Sequence, residues 1–265
     1  MNKLHKAIKW AIQYLTANNK VRIISYDEIV QASYSTVYVI ETDQDNFYLK
    51  ITPEMLFLES KLLQYFQRQH CKNTSVVLSE NNEFQCFLMS SSGHESLREY
   101  FKGKVDMLML QSGISNYTRI QRQLESENQA LISLGLPDWR LNKLPYLYHK
   151  LLQNQSLLLS DGLLENEIEC LNQHYNSCET LCDELLGYGI PETINHCDFH
   201  ENNMLFDKKS GEIDIIDWGE SVITHPFLSL NGCLCNIVHF NDVQKNDSRY
   251  DTLRSASVDP WINLY

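Results

Sequence analysis

The chain is poor in the residues that make loops and in positive charge. Of its 265 residues only 10 are Gly and 6 are Pro, which excludes a collagen-like chain and low-complexity disorder and leaves room for a sizeable packed core. Lys plus Arg number 22 against 34 Asp plus Glu, a formal net charge of −12. The phosphate-neutralising basic face of a general nucleic-acid or anionic-membrane binder is therefore missing. No apolar run approaches the ~18 residues of a membrane span. The stretch Met1 to Trp10 interleaves its basic and apolar residues instead of segregating them as an export signal does. Leu4, Ala7, Ile8, Ala11, Ile12 and Leu15 recur at helical spacing, so residues 1–18 read as an amphipathic helix ending near Asn18-Asn19. Without an export signal the expected location is cytoplasmic, and the eight scattered cysteines are expected to be reduced thiols rather than a disulfide framework.

What is present has an order. Val21–Ile24, Ser35–Glu41 and Asn46–Thr52 are rich in Val, Ile, Tyr and Thr, and the last two flank the polar turn Thr42-Asp43-Gln44-Asp45. Pro53-Glu54 then opens a helix with Met55, Leu58, Leu62, Leu63 and Phe66 on one face. Ser75–Leu78 and Gln85–Met89 read as two further strands. The run Ser90-Ser91-Ser92-Gly93 is a natural linker. From Leu97 to about Leu186 the pattern is helical, interrupted around Gly135–Pro145, and then two short strands, Met204–Phe206 and Glu212–Ile216, flank a turn ending in Gly211. The expected fold class is α+β and bilobal: a small β-rich lobe over residues 1–90 and a larger helical lobe over 91–265, with no internal repeat.

The chemistry concentrates in Ile194-Asn195-His196-Cys197-Asp198-Phe199-His200-Glu201-Asn202-Asn203 and, after the hairpin, Ile215-Ile216-Asp217-Trp218-Gly219. In the phosphoryl-transfer template, His-x-Asp, four residues, Asn, hairpin, Asp has a mechanical reason. The first Asp accepts the proton of an attacking hydroxyl. The Asn at the far end of the loop holds a metal, and the hairpin brings the second Asp back to the same metals; such hard oxygen donors are what Mg²⁺ takes. Taken singly, each residue has an ordinary reading: buried histidines, turn asparagines, a satisfied carboxylate. A zinc site from His196, Cys197, His200, Cys233 and Cys235 has poor spacing, and a Cys197–His200 nucleophile pair is weaker still.

The segment resembles the aminoglycoside phosphotransferase and choline kinase-like family, whose loop reads roughly His-Gly-Asp-Leu-His-x-x-Asn followed by Ile-Asp-Trp or Ile-Asp-Phe. The second histidine, here His200, distinguishes it from protein kinases. The similarity extends to Thr224-His225-Pro226-Phe227-Leu228-Ser229-Leu230, where His225 and Ser229 stand in place of the family's two acids and imply a slightly weaker helix anchor. The resemblance implies a protein-kinase-like fold, Asp198 as catalytic base, Asn203 and Asp217 as Mg²⁺ ligands, and His196 holding backbone carbonyls. Lys50, alternating along Phe47-Tyr48-Leu49-Lys50-Ile51, is then the strand lysine on the nucleotide phosphates, with Glu59 as its partner and Glu54 as the alternative. Ser33 and Ser35 would cover the phosphates from a loop without glycine, and Phe87 to Ser91, through Met89 and Ser91, would form the hinge beside the base. ATP is the expected nucleotide, with GTP left open.

The implied activity is transfer of the γ-phosphate to a hydroxyl of a small acceptor. Asp106, Glu125, Glu127, Asp138, Asp161, Glu165, Glu167 and Glu169 offer negative charge for a cationic, aminoglycoside- or choline-like acceptor, or else form a solvated helix face. The contrasting class is a non-catalytic nucleotide-binding scaffold, favoured by the glycine-free loop and opposed by the presence of Lys50, Asp198, Asn203 and Asp217 together. Neither nucleic acid nor membrane is expected as a partner, and nothing in the sequence sets an oligomeric state. Only 48 residues follow Asp217, and the apolar ending Trp261 to Tyr265 reads as an interrupted core segment, of a compact member or a truncated one.

Overall fold

The computed structural model describes residues 3–93 and 95–262. Met1 and Asn2 of the first amphipathic segment, and Asn263 to Tyr265 of the apolar ending, lie outside the described residues. The chain begins with α1 (Lys3–Tyr14), continued by a wider turn to Asn19, and then builds an antiparallel sheet. Its strands are β1 (Ile23–Gln31), β2 (Thr36–Thr42) and β3 (Asn46–Ile51), then, after α2 (Leu58–Arg68), β4 (Val77–Asn81) and β5 (Cys86–Ser90). The spatial order is β1-β2-β3-β5-β4.

Side chains on successive strand residues point to opposite faces, and that alternation decides what each face does. Ala7, Ile8 and Ala11 of α1, with Leu15 of the turn that follows, pack with Ile40, Phe47, Leu49, Cys86 and Leu88 to close one face. The other face carries Tyr48 and Lys50, which line the cleft, while Phe87 packs with Leu62, Leu63 and Phe66 of α2. Here α2 joins the small lobe to the large one: Phe66 meets Trp218 edge-on at 4.9 Å, and one continuous core runs from α2 into the helical lobe.

Two details of this lobe differ from expectation. β1 runs to Gln31, well past Ile24, because it is an edge strand with mostly exposed side chains and so carries no buried alternation to read. Met55 is 83% exposed, not on the apolar face: Glu54–Leu56 form a separate 3₁₀ turn, and the helix proper begins at Leu58.

Beyond Ser90 come β6 (Glu95–Ser96), α3 (Leu97–Phe101), α4 (Met107–Gln123) and α5 (Asn128–Leu134). After an irregular stretch follow α6 (Leu144–Gln153), α7 (Gln155–Ser160), α8 (Glu165–Gln173) and α9 (Tyr175–Gly187). The chain then forms β7 (Thr193–Asn195), β8 (Met204–Phe206), β9 (Ile213–Ile215) and β10 (Val222–Thr224), and ends with α10 (Leu228–Phe240) and α11 (Ser248–Ile262). β7 pairs with β10, and β8 pairs with both β6 and β9, so the segment from 196 to 203 is held between two small antiparallel ladders. No helix among the described residues is long and apolar enough to cross a membrane.

Candidate active site

The residues singled out from sequence converge on the cleft between the sheet and the helical lobe. Lys50 projects from β3, whose other face is buried under α1, and it is itself almost fully buried. Its Nζ lies 2.6 Å from Glu59 Oε2 and 2.6 Å from Asp217 Oδ1, so one ammonium joins the sheet, α2 and the β9 loop. Burial alone would lower the lysine pKa; the two carboxylates outweigh it and hold the group above its ordinary value. Glu59 is the partner and Glu54 is not, because the 3₁₀ turn leaves Glu54 exposed before the helix starts. The other Glu59 oxygen, Oε1, accepts the Trp218 backbone N–H at 3.2 Å, which ties the carboxylate to the residue after Asp217.

Asp198 sits on the loop after β7, its side chain half exposed to the cleft. Asn203 Nδ2 donates to the Asp198 backbone carbonyl at 2.8 Å and to its Oδ2 at 3.0 Å, and His200 Nε2 reaches Oδ1 at 3.1 Å. The hydrogen bond from His200 is the main reason the Asp198 carboxyl is held below the usual range. His200 Nδ1 accepts the Asn202 N–H at 3.2 Å, which leaves Nε2 as the donor to Asp198. His196 is fully buried; burial lowers its pKa, and its Nε2 donates to the Ile216 carbonyl at 2.7 Å. It braces the strand that delivers Asp217.

Two non-glycine residues in left-handed backbone frame this arrangement, Cys197 at φ 62° and Asp217 at φ 66°. Such conformations cost free energy for a residue with a Cβ and persist where the surroundings over-determine them. At Cys197 the angle also accounts for the glycine in the resembling motif. Burial pushes the Cys197 thiol up to about 11, so it is no thiolate nucleophile. Among the described residues no group of three or more His, Cys, Asp or Glu side chains is placed to hold a metal, which removes the zinc reading; His196 and His200 are spent on Ile216 and Asp198.

Two adjoining cavities share Tyr34, Ser35, Lys50, Glu59 and Asp217. The larger, about 430 Å³, has apolar walls from Ile29, Val30, Val37, Leu205 and Ile216, and also reaches Met89, Ser90, Asn203 and Asp217. The smaller, about 270 Å³, brings Asp198, Glu220 and Thr52 to the same lysine. Both amide protons that Asn203 places go to Asp198, so its Oδ1 is left for a cation beside Asp217, and this oxygen pair fits Mg²⁺.

Two of the expected cleft residues are placed otherwise. Ser33 is exposed and lines neither cavity; Tyr34 and Ser35 do, because the backbone bends at Ser33 and Tyr34. Ser91 hydrogen-bonds the Tyr48 phenol, leaving Met89 and Ser90 to face the larger cavity. None of the eight carboxylates proposed for a cationic acceptor lines either cavity. Asp106 caps α4, Glu125 pairs with Arg122, Asp138 pairs with Arg140 and Lys143, Glu127 accepts from Tyr65, and Glu167 closes the start of α8.

Sequence reasoning missed the residues that hold the loop from behind. Glu201 is fully buried and accepts from Arg98 Nε at 2.9 Å; Arg98 also donates to Asn236 and lies over Phe240. Tyr117 stacks on Phe199 at 4.0 Å, and its OH accepts the His196 N–H at 3.1 Å. Glu201, a charge inside the motif with no role there, was the one available signal.

A family model described as the phosphotransferase enzyme family matches residues 28–249. No curated protein matches the chain. Among solved structures, Plasmodium vivax ethanolamine kinase superposes with a TM-score of 0.63 at 10% identity, over 97% of this chain and 80% of that one. The choline kinase LicA from Streptococcus pneumoniae gives 0.56 at 12% identity, over 98% and 90%. A GDP complex of an aminoglycoside 2′-phosphotransferase gives 0.58 at 15% identity, over 99% and 94%. At these identities the likeness establishes the fold, which is the two-lobed kinase-like one with a β-sheet lobe and a helical lobe.

Proposed function

This chain belongs to the phosphotransferase enzyme family and is an alcohol-acceptor phosphotransferase, and from that premise we propose that it transfers the γ-phosphate of Mg²⁺-ATP to a hydroxyl of a small acceptor. The observation that carries the proposal is the Lys50–Glu59–Asp217 cluster in one cleft with Asp198 and Asn203. In this reading residues 1–90 hold the nucleotide and residues 91–265 hold the catalytic loop and acceptor. The base lies in the larger cavity between Val37 and Leu205, against Met89 and Ser90. Lys50 neutralises the phosphates, and the Ser35 hydroxyl approaches them from the loop above. Asn203 Oδ1 and Asp217 hold Mg²⁺, which supplies charge neutralisation at the transferring group. GTP is the alternative nucleotide. A GDP complex among proteins of this fold supports a nucleotide there.

Asp198 orients the acceptor hydroxyl and takes its proton, and His200 and Asn203 fix its carboxylate for that task. In this reading the protein works in a reducing cytoplasm, where its cysteines stay as thiols. For a cationic acceptor, Glu99 and Glu220 are the helical-lobe glutamates that line the cleft cavities. The test is a thermal-shift titration with ATP, with and without Mg²⁺, followed by measurement of phosphate transfer to a panel of hydroxylated compounds. Metal-dependent stabilisation and transfer are expected. Nucleotide binding with no transfer and no turnover makes the chain a nucleotide-binding scaffold instead.

A further inference from the structure

The catalytic loop carries a charge that faces away from the cleft. Glu201 opens the 3₁₀ turn Glu201–Asn203, and three residues complete one such turn, so the side chains of Glu201 and Asn203 leave it in different directions. Asn203 lines the larger cavity, whereas Glu201 is fully buried against Arg98. Its Oε1 accepts Arg98 Nε at 2.9 Å and Asn241 Nδ2 at 3.5 Å, and among the described residues Oε2 has no hydrogen-bond partner. Two residues of α10 hold Arg98 in turn. Its Nη2 donates to Asn236 Oδ1 at 2.9 Å, and its guanidinium lies 3.9 Å from the centre of the Phe240 ring.

Such a pair is a weak source of stability. Taking a carboxylate out of water is expensive, and a single ion contact beside an orphaned oxygen repays little of that cost. What the pair does supply is position. Arg98 belongs to α3, whose first turn is closed by reciprocal hydrogen bonds: Ser96 Oγ accepts the Glu99 N–H at 3.2 Å, and Glu99 Oε2 accepts the Ser96 N–H at 3.3 Å. Ser96 and Glu99 themselves line the larger cavity. One buried contact therefore ties the linker side of that cavity to the turn that ends in Asn203. A rotation of this turn would carry Asn203 Oδ1 away from Asp217. We propose that Arg98 and Glu201 are positioning residues: their ion pair sets the register of the turn that presents Asn203 to the metal, and adds little to folding stability. The proposal rests on the Mg²⁺-nucleotide reading of the cleft and deepens it by naming what holds the metal end in place.

The test compares the full chain with two variants. Arg98→Met with Glu201→Leu replaces both ions by apolar side chains of similar size. Arg98→Lys keeps a positive charge beside Glu201 but lacks the planar fork that also holds Asn236. Urea unfolding reads stability, and the fluorescence of N-methylanthraniloyl-ATP, titrated with Mg²⁺, reads the metal end without needing an acceptor. The double variant should unfold at a urea concentration no lower than wild type. Its Mg²⁺ midpoint should rise ~10-fold or more, the scale on which groups that orient metal ligands act, while its affinity for the nucleotide without metal stays unchanged. Arg98→Lys should move the midpoint the same way by a smaller factor, at wild-type stability. A double variant that fails to fold, or is clearly weaker in urea, would overturn the proposal, because the pair would then be a stability element. An equal loss of metal-free affinity would overturn it too, as a general distortion of the cleft. Wild-type Mg²⁺ midpoints in both variants would end the positioning role and spare the phosphotransferase reading. A wild type whose nucleotide affinity ignores Mg²⁺ removes that reading, and the proposal with it.

Discussion

Replacing Lys50 by Met should destabilise the nucleotide-free protein in a way that depends on pH. The ammonium bridges Glu59, whose side chain is 3% exposed, and Asp217, whose side chain is 44% exposed. Once it is gone, Asp217 recovers solvent and loses little. Glu59 cannot, and a buried carboxylate deprived of its partner costs about 3–5 kcal/mol. The cost has a ceiling, because Glu59 escapes it by taking a proton. Burial holds the Glu59 pKa above its ordinary value even beside Lys50. Without the ammonium it rises further, so the variant's folded state binds more protons than the unfolded state over a wider window. Stability of the variant, relative to wild type, must therefore increase as pH falls, with a slope approaching about 1.4 kcal/mol per pH unit for one proton. Urea unfolding of both proteins from pH 8 to pH 5 measures this. Lys50→Met should be several kcal/mol weaker at pH 8, the gap should narrow steadily toward pH 5, and adding Glu59→Gln should remove most of the pH dependence. A gap that is absent, or constant across that range, would show that the lysine and glutamate do not form a buried pair in solution.

Asp198→Asn should keep the Mg²⁺-ATP thermal shift and lower phosphate transfer by ~10²-fold or more, since it removes the proton acceptor and leaves the loop's hydrogen-bonding shape. Asp217→Asn should instead weaken the metal-dependent part of that shift, read by comparing titrations with and without Mg²⁺. Cys197→Gly should retain activity, because φ 62° suits glycine and the thiol is not reactive; lost transfer in a folded variant would reinstate the cysteine. His196, held neutral by burial, binds fewer protons folded than unfolded, so its contribution is complete above the ordinary histidine pKa and is lost as pH falls through the lower folded value. The melting temperature should drop between pH 7 and 5, and Asp214→Asn should steepen the drop, because burial raises that carboxyl to about 6 and its protonation opposes the histidine.

The cleft was legible in the sequence where its parts lie close along the chain or follow a regular period. Asp198, Asn203 and Asp217 fall within one loop and one hairpin, and Lys50 follows from strand alternation. What stayed hidden depends on contacts distant in sequence. Arg98 and Glu201 are 103 residues apart, and nothing local in either segment marks their pairing. The placement of the carboxylates counted for a cationic acceptor was hidden for a related reason. Composition counts carboxylates but does not say that Asp106 and Glu167 cap helices or that Asp138 is already paired. Met55 and β1 were misread because period alone cannot see a 3₁₀ turn interrupting a helix or an edge strand with no buried face.

The departure at Thr224–Leu230 shows how the same support can be built without charge. The resembling motif has acids where this chain has His225 and Ser229, and a weaker anchor for α10 was the expectation. In the structure Ser229 Oγ accepts the Cys197 N–H at 3.2 Å and the Tyr117 hydroxyl at 3.3 Å, while donating to Asn195 Oδ1 at 3.0 Å. Tyr117 in turn accepts the His196 N–H, and Gln121 Nε2 reaches Tyr117, the Ile194 carbonyl and the Pro226 carbonyl. The helix start and the catalytic loop are thus joined by neutral groups that are all hydrogen-bonded, which avoids the desolvation cost of placing carboxylates in a buried position.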